Sequence, residues 1–171
     1  MKINRKFIFI IGLPTMFFLT FSLMIFISTY SQPSQSQVKY DKKTLEEAEK
    51  VIRDAFFYQN NHDLTKVKDL YSSRYSNSTF RLDNLISIQI LELKLLENEI
   101  NYRLYLDYGP GRVNNIERKN LIIYKVRYNM EFKDQTLEPI DSGEYQRAYS
   151  LIRENNIGNW KIDDIGIDYY D

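Results

Sequence analysis

The sequence contains no cysteine. That absence excludes disulfide bonds, thiolate metal sites, a cysteine nucleophile and the lipid-modified cysteine that follows some signal peptides. Histidine is nearly absent too, since His62 is the only one among 171 residues. A histidine-based metal site or a Ser-His-Asp triad would have to be built around that single residue. Because the sequence offers it no evident partner, we interpret His62 as a turn residue between two helices.

An excess of charge is also lacking, because 23 basic residues balance 23 acidic ones. Three of the basic residues, Lys2, Arg5 and Lys6, precede the first apolar run, so the rest of the chain is slightly acidic. Nucleic-acid binding requires clustered lysine and arginine, and we therefore expect no nucleic-acid partner. The sequence has no glycine-rich phosphate loop, no metal-spaced carboxylates and no nucleophile elbow. We accordingly expect no cofactor and no metal, and assign no catalytic residue.

One long hydrophobic run is present, and it carries no charge from Phe7 to Ile27. Its length matches the ~20 apolar residues that a membrane-spanning helix needs. The basic residues before it place the N-terminus in the cytoplasm by the positive-inside rule. These features predict a cytoplasmic tail at 1–6, a transmembrane anchor at 7–27, a flexible linker at 28–43 that is rich in serine and glutamine, and an extracytoplasmic domain at 44–171.

A cleaved secretory signal is the alternative to an uncleaved anchor. The apolar region of such a signal usually spans only ~7 to 15 residues and ends at a small-x-small site. Thr29-Tyr30-Ser31 is a poor version of that site, and the run is too long. We favour the uncleaved single-pass anchor in the cell membrane; under both interpretations the domain is exported.

The domain begins with a helical pattern. Thr44 and Glu47 form a capping box, and an apolar stripe with helical spacing follows to Gln59. Asp63 is placed to cap a second, shorter helix. We expect both helices to lay their apolar faces on the core.

From Leu85 onward the hydrophobic period changes to two, which is typical of strands. The clearest strand is Leu121 to Phe132, in which Ile122 and every second residue after it is apolar or aromatic, predicting one buried and one wet face. The alternation also predicts strands at 85–95, at 100–108, at 143–152 and from Trp160 onward. A phase jump after Ile90 and another at Asp163-Asp164 predict β-bulges; a short helix over 88–96 is the alternative for the first.

Helices followed by about five antiparallel strands define an α+β fold, with the N-terminal helices packed in a strongly curved sheet. That plan resembles the nuclear transport factor 2-like superfamily, in which a curved sheet wraps a long helix into a cone. A narrower resemblance rests on four segments, Tyr124 to Tyr128, Pro139 to Gly143, Tyr149 to Arg153 and Gly158 to Gly166. In these segments the domain resembles a group of uncharacterised bacterial exported domains within that superfamily, the domain of unknown function numbered 4829. Many members of such groups have a lipid-anchor cysteine that this chain lacks.

The resemblance implies where a site would lie, because enzymes of the superfamily place carboxylates, tyrosine or histidine inside the cone. The candidates for ligand binding are Tyr145, Arg147 and Tyr149 on one strand face, with Asp164 near the second bulge. Arg147 among rings could receive an anion or only stack on them, and the acid pair could supply a base or be solvated.

Three functions follow from these features. The leading hypothesis is a membrane-anchored extracytoplasmic binding or protein-interaction module, with a protein partner or a small apolar ligand. A scaffold subunit of a secretion or conjugation assembly is an alternative, supported only by analogy of fold. A small-molecule isomerase or dehydratase-like enzyme is a third.

Overall fold

A computed structural model describes residues 38–166 and 169–171. The predicted anchor at 7–27 and most of the predicted linker lie outside these residues. Within the described part of the chain, no helix combines the length and apolar character required to cross a membrane.

The described residues form an α+β domain with one antiparallel sheet. The helices are α1 (Lys42–Asn60), α2 (Leu64–Asp69), α3 (Glu99–Arg103), which continues into a π-helix over Leu104–Tyr108, and α4 (Pro110–Val113). The strands are β1 (Leu85–Leu95), β2 (Leu121–Phe132), β3 (Gly143–Arg153) and β4 (Trp160–Gly166). They pair in the order β1-β2-β3-β4. The expected α+β class with an antiparallel sheet is confirmed, with four strands in the described chain instead of about five.

The strand predicted at 100–108 is wrong, because this segment is helical. Asn98 caps α3 by accepting a hydrogen bond from the Ile100 amide at 3.0 Å. The sheet also has no place for another strand there, since β1 and β2 pair directly, with Leu95 opposite Tyr124. The chain between them must leave the sheet, and it folds back over one of its faces.

Helix α1 begins three residues before the predicted capping box would start it. Its N-cap is Asp41, whose carboxylate accepts from the Thr44 amide at 2.8 Å. Asp41 replaces Thr44 as the cap because its carboxylate accepts a first-turn amide one turn earlier and is stabilised by the positive end of the helix dipole. The prediction that Asp63 caps the second helix is confirmed, since Asp63 accepts from the Lys66 amide. His62 lies in the intervening turn with a φ of 54°.

The sheet is covered on both faces, so its core has two layers. The inner layer packs α1 against the even positions of β2, with Ile52 and Phe56 facing Tyr124, Val126 and Tyr128. The outer layer packs α3 and the π-helix against the odd positions Leu121 and Ile123. The wet face predicted for β2 is therefore wrong for its first half, which is buried on both sides through Val126. Only from Arg127 onward does the strand regain a partly exposed face.

Both predicted bulges are confirmed. The pairing of β1 with β2 shifts between Ile90 and Glu92, and a further irregularity lies between Leu85 and Ser87. The pairing of β3 with β4 shifts so that Asp164 lies opposite Ser150 while Ile162 lies opposite Leu151. Asp163 is the extra residue in β4. Bulges bend a strand and increase its local twist.

Candidate functional site

An apolar cleft of about 580 Å³ opens where β1 begins beside the end of β2. We call it the sheet cleft. Its walls come from the end of α1, the segment before β1, the two strands and the β2–β3 connection. The lining residues are Gln59, Thr79, Phe80, Arg81, Leu82, Leu85, Met130, Phe132, Leu137, Glu138, Pro139 and Ile140. Ligand pockets typically occupy ~300 to 1,000 Å³ and combine an apolar lining with a few polar groups. The sheet cleft has this size and this chemistry.

The outer wall of the sheet cleft is held in place by Asn84. Its side-chain amide donates to the Asp134 carbonyl at 2.7 Å and to the Glu138 carboxylate at 2.9 Å. Its amide oxygen accepts from the Asp134 backbone at 3.0 Å. On the same wall, the Arg81 guanidinium donates to the Leu137 carbonyl. These bonds fix the β2–β3 connection against the segment before β1, so the cleft is formed in advance of any ligand.

A second cleft, of about 570 Å³, lies beside the outer layer. We call it the Arg74 cleft; its lining comprises Ser73, Arg74, Tyr108, Gly109, Pro110, Val113 and Asn114. Arg74 is engaged on one side by acids, since its Nη1 lies 3.1 Å from Asp164 Oδ1 and 3.7 Å from Asp163 Oδ2. Because Arg74 already pairs with both carboxylates, it offers no free positive charge to an anionic ligand in this cleft.

Behind the Arg74 cleft, Asp163 is completely buried, with 0% of its surface exposed. The bulge in β4 turns its carboxylate into the outer layer. There Oδ1 accepts from the Ser72 hydroxyl at 2.5 Å and Oδ2 accepts from the Tyr105 hydroxyl. Burial, followed by the hydrogen bond and the charge of Asp163, raises the pKa of Tyr105 well above its usual range. The carboxylate is thus fully satisfied and joins three segments of the chain.

The four predicted ligand-binding residues line neither the sheet cleft nor the Arg74 cleft. Tyr149 lies in the inner core, where its ring centroid is 6.0 Å from that of Phe56, and burial raises the pKa of its hydroxyl. Arg147 lies 5.3 Å over the ring of Tyr145 and donates to a neighbouring backbone carbonyl. Asp164 is separate from these three and pairs with Arg74. A ligand at these residues stays a prediction.

A third, smaller cleft of about 280 Å³ lies where the described chain begins. We call it the Tyr102 cleft; Val38, Lys39, Tyr40, Leu45, Leu95, Glu97, Tyr102 and Arg118 form its walls. Arg118 is part of the wall, with its guanidinium 3.3 Å from the centroid of the Tyr102 ring. It makes two hydrogen bonds to the Glu99 carboxylate, at 2.6 and 3.0 Å, and donates to the Tyr40 hydroxyl. Arg118 thereby ties the first described residues to α3.

Arg118→Ala should lower the free energy of unfolding by about 2 kcal/mol, because it removes a bidentate ion pair together with ring stacking in a largely buried position. Lys119→Ala is the matched control, since the neighbouring Lys119 forms only an exposed pair with Glu117, and such pairs contribute about 0.5 kcal/mol or less. Urea denaturation of the detergent-solubilised chain, followed by fluorescence of its single tryptophan, measures both. Equal losses for the two variants would contradict the role given to Arg118.

Sequence reasoning missed the residues that shape these clefts. A signal existed for Asp163, because the phase slip marked the bulge, although the acid pair was expected to act as a base or to be solvated. No comparable signal marks Arg118 or Asn84, whose partners lie on segments that only the folded chain brings together. Within residues 38–166 and 169–171, no three acidic or histidine side chains converge to hold a metal ion.

Comparison with known proteins gives one match. A family model described as Domain of unknown function (DUF4829) matches residues 49–166, which span α1 from its second turn to the end of β4. No curated protein and no solved structure matches the chain.

Proposed function

This chain belongs to the family described as Domain of unknown function (DUF4829), and from that premise we propose that it is a membrane-anchored, extracytoplasmic binding module that holds a small apolar ligand in the sheet cleft. The observation that carries the proposal is the cleft itself. Its volume, about 580 Å³, and its lining of leucine, phenylalanine, methionine and isoleucine suit an apolar molecule. Gln59, Arg81 and Glu138 are the polar groups available to orient such a ligand.

The arrangement of α1 and the sheet supports a nuclear transport factor 2-like cone as part of this proposal, and the bacterial origin rests only on the resemblance of the sequence. A long N-terminal helix packs on one face of an antiparallel sheet, and β1 and β4 carry irregularities of the kind that bend strands. The sheet cleft then corresponds to the mouth of the cone. Anchoring rests on the uncharged run from Phe7 to Ile27 and the basic residues before it.

The proposal is tested with a photoactivatable octyl diazirine added to the full chain in lipid nanodiscs. We expect crosslinks in peptides that contain Leu85, Met130 or Phe132. The variant Met130→Trp fills the cleft and should reduce labelling of these peptides at least fivefold, because the probe and the indole would compete for one volume.

Leu91→Trp provides the matched control, since Leu91 is an exposed apolar residue of β1 that does not line the cleft. This variant should leave the labelling unchanged. The binding proposal fails if Met130→Trp melts like the parent protein yet leaves labelling of the cleft peptides intact, or if the probe labels the surface without preference for these peptides.

A further inference from the structure

A stripe of exposed apolar side chains runs along the outer layer. Ile100, Leu104 and Tyr108 are spaced four residues apart and are 46%, 43% and 78% exposed. Four residues of α-helix overshoot a full turn by about 40°, and the wider winding of the following π-helix compensates for this overshoot. The three side chains therefore share one face. Val113, which is 81% exposed, follows on α4, and we call the four residues the outer stripe.

The opposite side of the same helical segment faces the core. Tyr102 and Tyr105 are buried against β2 and β3, so burial of the sheet does not explain the apolar character of the outer stripe. Basic side chains flank it, with Arg103 on α3 and Arg112 on α4 both exposed. Arg103 is paired with Asp107 at 3.9 Å, whereas Arg112 makes no ion pair within the described residues. An apolar face flanked by arginine and containing tyrosine is typical of helices that lie in a membrane interface.

We propose that the outer stripe seats the domain on the lipid surface of the membrane that carries its own N-terminal anchor, with Arg112 directed to lipid phosphates. This inference rests on the anchor of the proposed function and goes beyond it.

The chain that leads to the anchor supports the choice of a membrane. The segment from residue 28 to residue 37 reaches at most about 35 Å when fully extended. The first described residues lie in the Tyr102 cleft, where Tyr40 contacts Arg118, which stacks on Tyr102 of α3. The described chain therefore begins in contact with the helical layer that presents the outer stripe. A short tether gives the nearby lipid surface a high effective concentration, so a small apolar patch suffices for contact.

Because the sequence has no cysteine, a fluorophore that reacts with thiols labels only the one cysteine that is introduced. Tyr108→Cys and Phe57→Cys are each labelled with a bimane fluorophore in the full chain, reconstituted into vesicles of phosphatidylglycerol and phosphatidylcholine. Phe57 is the matched control, since it is apolar and 61% exposed but lies on α1, in the layer on the other face of the sheet. Nitroxide-labelled lipids should quench the fluorophore at position 108 at least threefold more than the one at position 57.

Ile100→Glu together with Leu104→Glu should reduce quenching at position 108 to the level at position 57, because carboxylates oppose insertion into an anionic interface. If the protein floats with the vesicles and quenching is equal at the two positions, this inference is overturned and the anchor is not. A chain that fails to float with the vesicles overturns both the inference and the anchor. The fluorophore at position 108 could instead be protected from aqueous iodide but not quenched by the nitroxide-labelled lipids. That result indicates a protein partner or a second copy and also overturns the inference.

Discussion

Raising the pH from about 9 to about 11.5 should unfold the domain through its buried tyrosines. Tyrosine outside a folded core ionises near pH 10. Six tyrosines of the described domain are buried, and burial raises the pKa of their hydroxyls: Tyr71, Tyr102, Tyr105, Tyr124, Tyr128 and Tyr149. Burial also raises the pKa of the partly buried Tyr40 and Tyr75. Above pH 10 the unfolded chain therefore releases protons that the folded chain retains.

The sign of the effect follows from this difference. A group whose pKa is raised by folding contributes its full stabilisation below its unfolded pKa and loses it as the pH rises toward its folded pKa. Each such tyrosine lowers the free energy of unfolding by about 1.4 kcal/mol per pH unit above pH 10. Six together give a slope of about 8 kcal/mol per unit, which is comparable to the whole stability of a typical domain. Unfolding should thus be complete within one to two units above pH 10.

Two signals measured together check this prediction. Tyrosinate absorbance should rise in the same cooperative transition in which the fluorescence of the buried Trp160 changes. Tyr71→Phe keeps a buried ring and removes one ionisable hydroxyl, so the slope should fall by about 1.4 kcal/mol per pH unit, whereas titration of the lysines is unchanged. A gradual rise in absorbance that precedes the fluorescence change would show that the hydroxyls are not protected by burial.

Asp163→Ala should also have a large effect and lower the free energy of unfolding by about 3 kcal/mol. The variant leaves the Ser72 and Tyr105 hydroxyls without their buried acceptor, and an unsatisfied buried donor costs about 1 to 3 kcal/mol. Asp163→Asn should fall between the parent and the alanine variant, because its amide oxygen can still accept from one of the two hydroxyls. Urea denaturation of the detergent-solubilised chain gives the values.

Asp164→Ala is the matched control for Asp163, one residue away. Asp164 is partly exposed and pairs only with Arg74 in the described structure, so its loss should cost about 0.5 to 1 kcal/mol. If Asp164→Ala destabilises the domain as much as Asp163→Ala, the ion pair with Arg74 and not the buried hydrogen bonds holds the β4 edge.

The inner layer could be predicted from the sequence because it obeys one simple period. The even positions of β2, from Ile122 to Tyr128, all face α1 as the alternation indicated. The two bulges could be predicted for the same reason, since an inserted residue shifts the phase of an otherwise regular pattern.

The outer layer could not be predicted because the apolar residues of its helix also fit the alternation that is typical of a strand. Apolar residues at 100, 102, 104, 106 and 108 satisfy a period of two, and the same residues place 100, 104 and 108 on one helical face and 102 on the other. The pairing of β1 with β2 decides whether the segment forms a helix or a strand, and this pairing involves residues outside the segment. The clefts also depend on pairs of residues that are distant in the sequence, such as Asn84 with Asp134 and Arg118 with Glu99. Local sequence patterns do not indicate these pairs.

The side chain of Asn60, the last residue of α1, protects the free edge of β1. Its amide nitrogen donates to the Ile88 carbonyl at 2.7 Å, and its amide oxygen accepts from the Ile88 amide at 2.8 Å. Because β1 is the outermost strand, these are the backbone groups to which a strand from another molecule would bind. One side chain thus occupies the docking position for a foreign strand in the middle of an eleven-residue edge, between the irregularities at Ser87 and Glu92. The blocked edge opposes pairing with a strand of another copy, so contacts between copies do not extend into aggregated sheets.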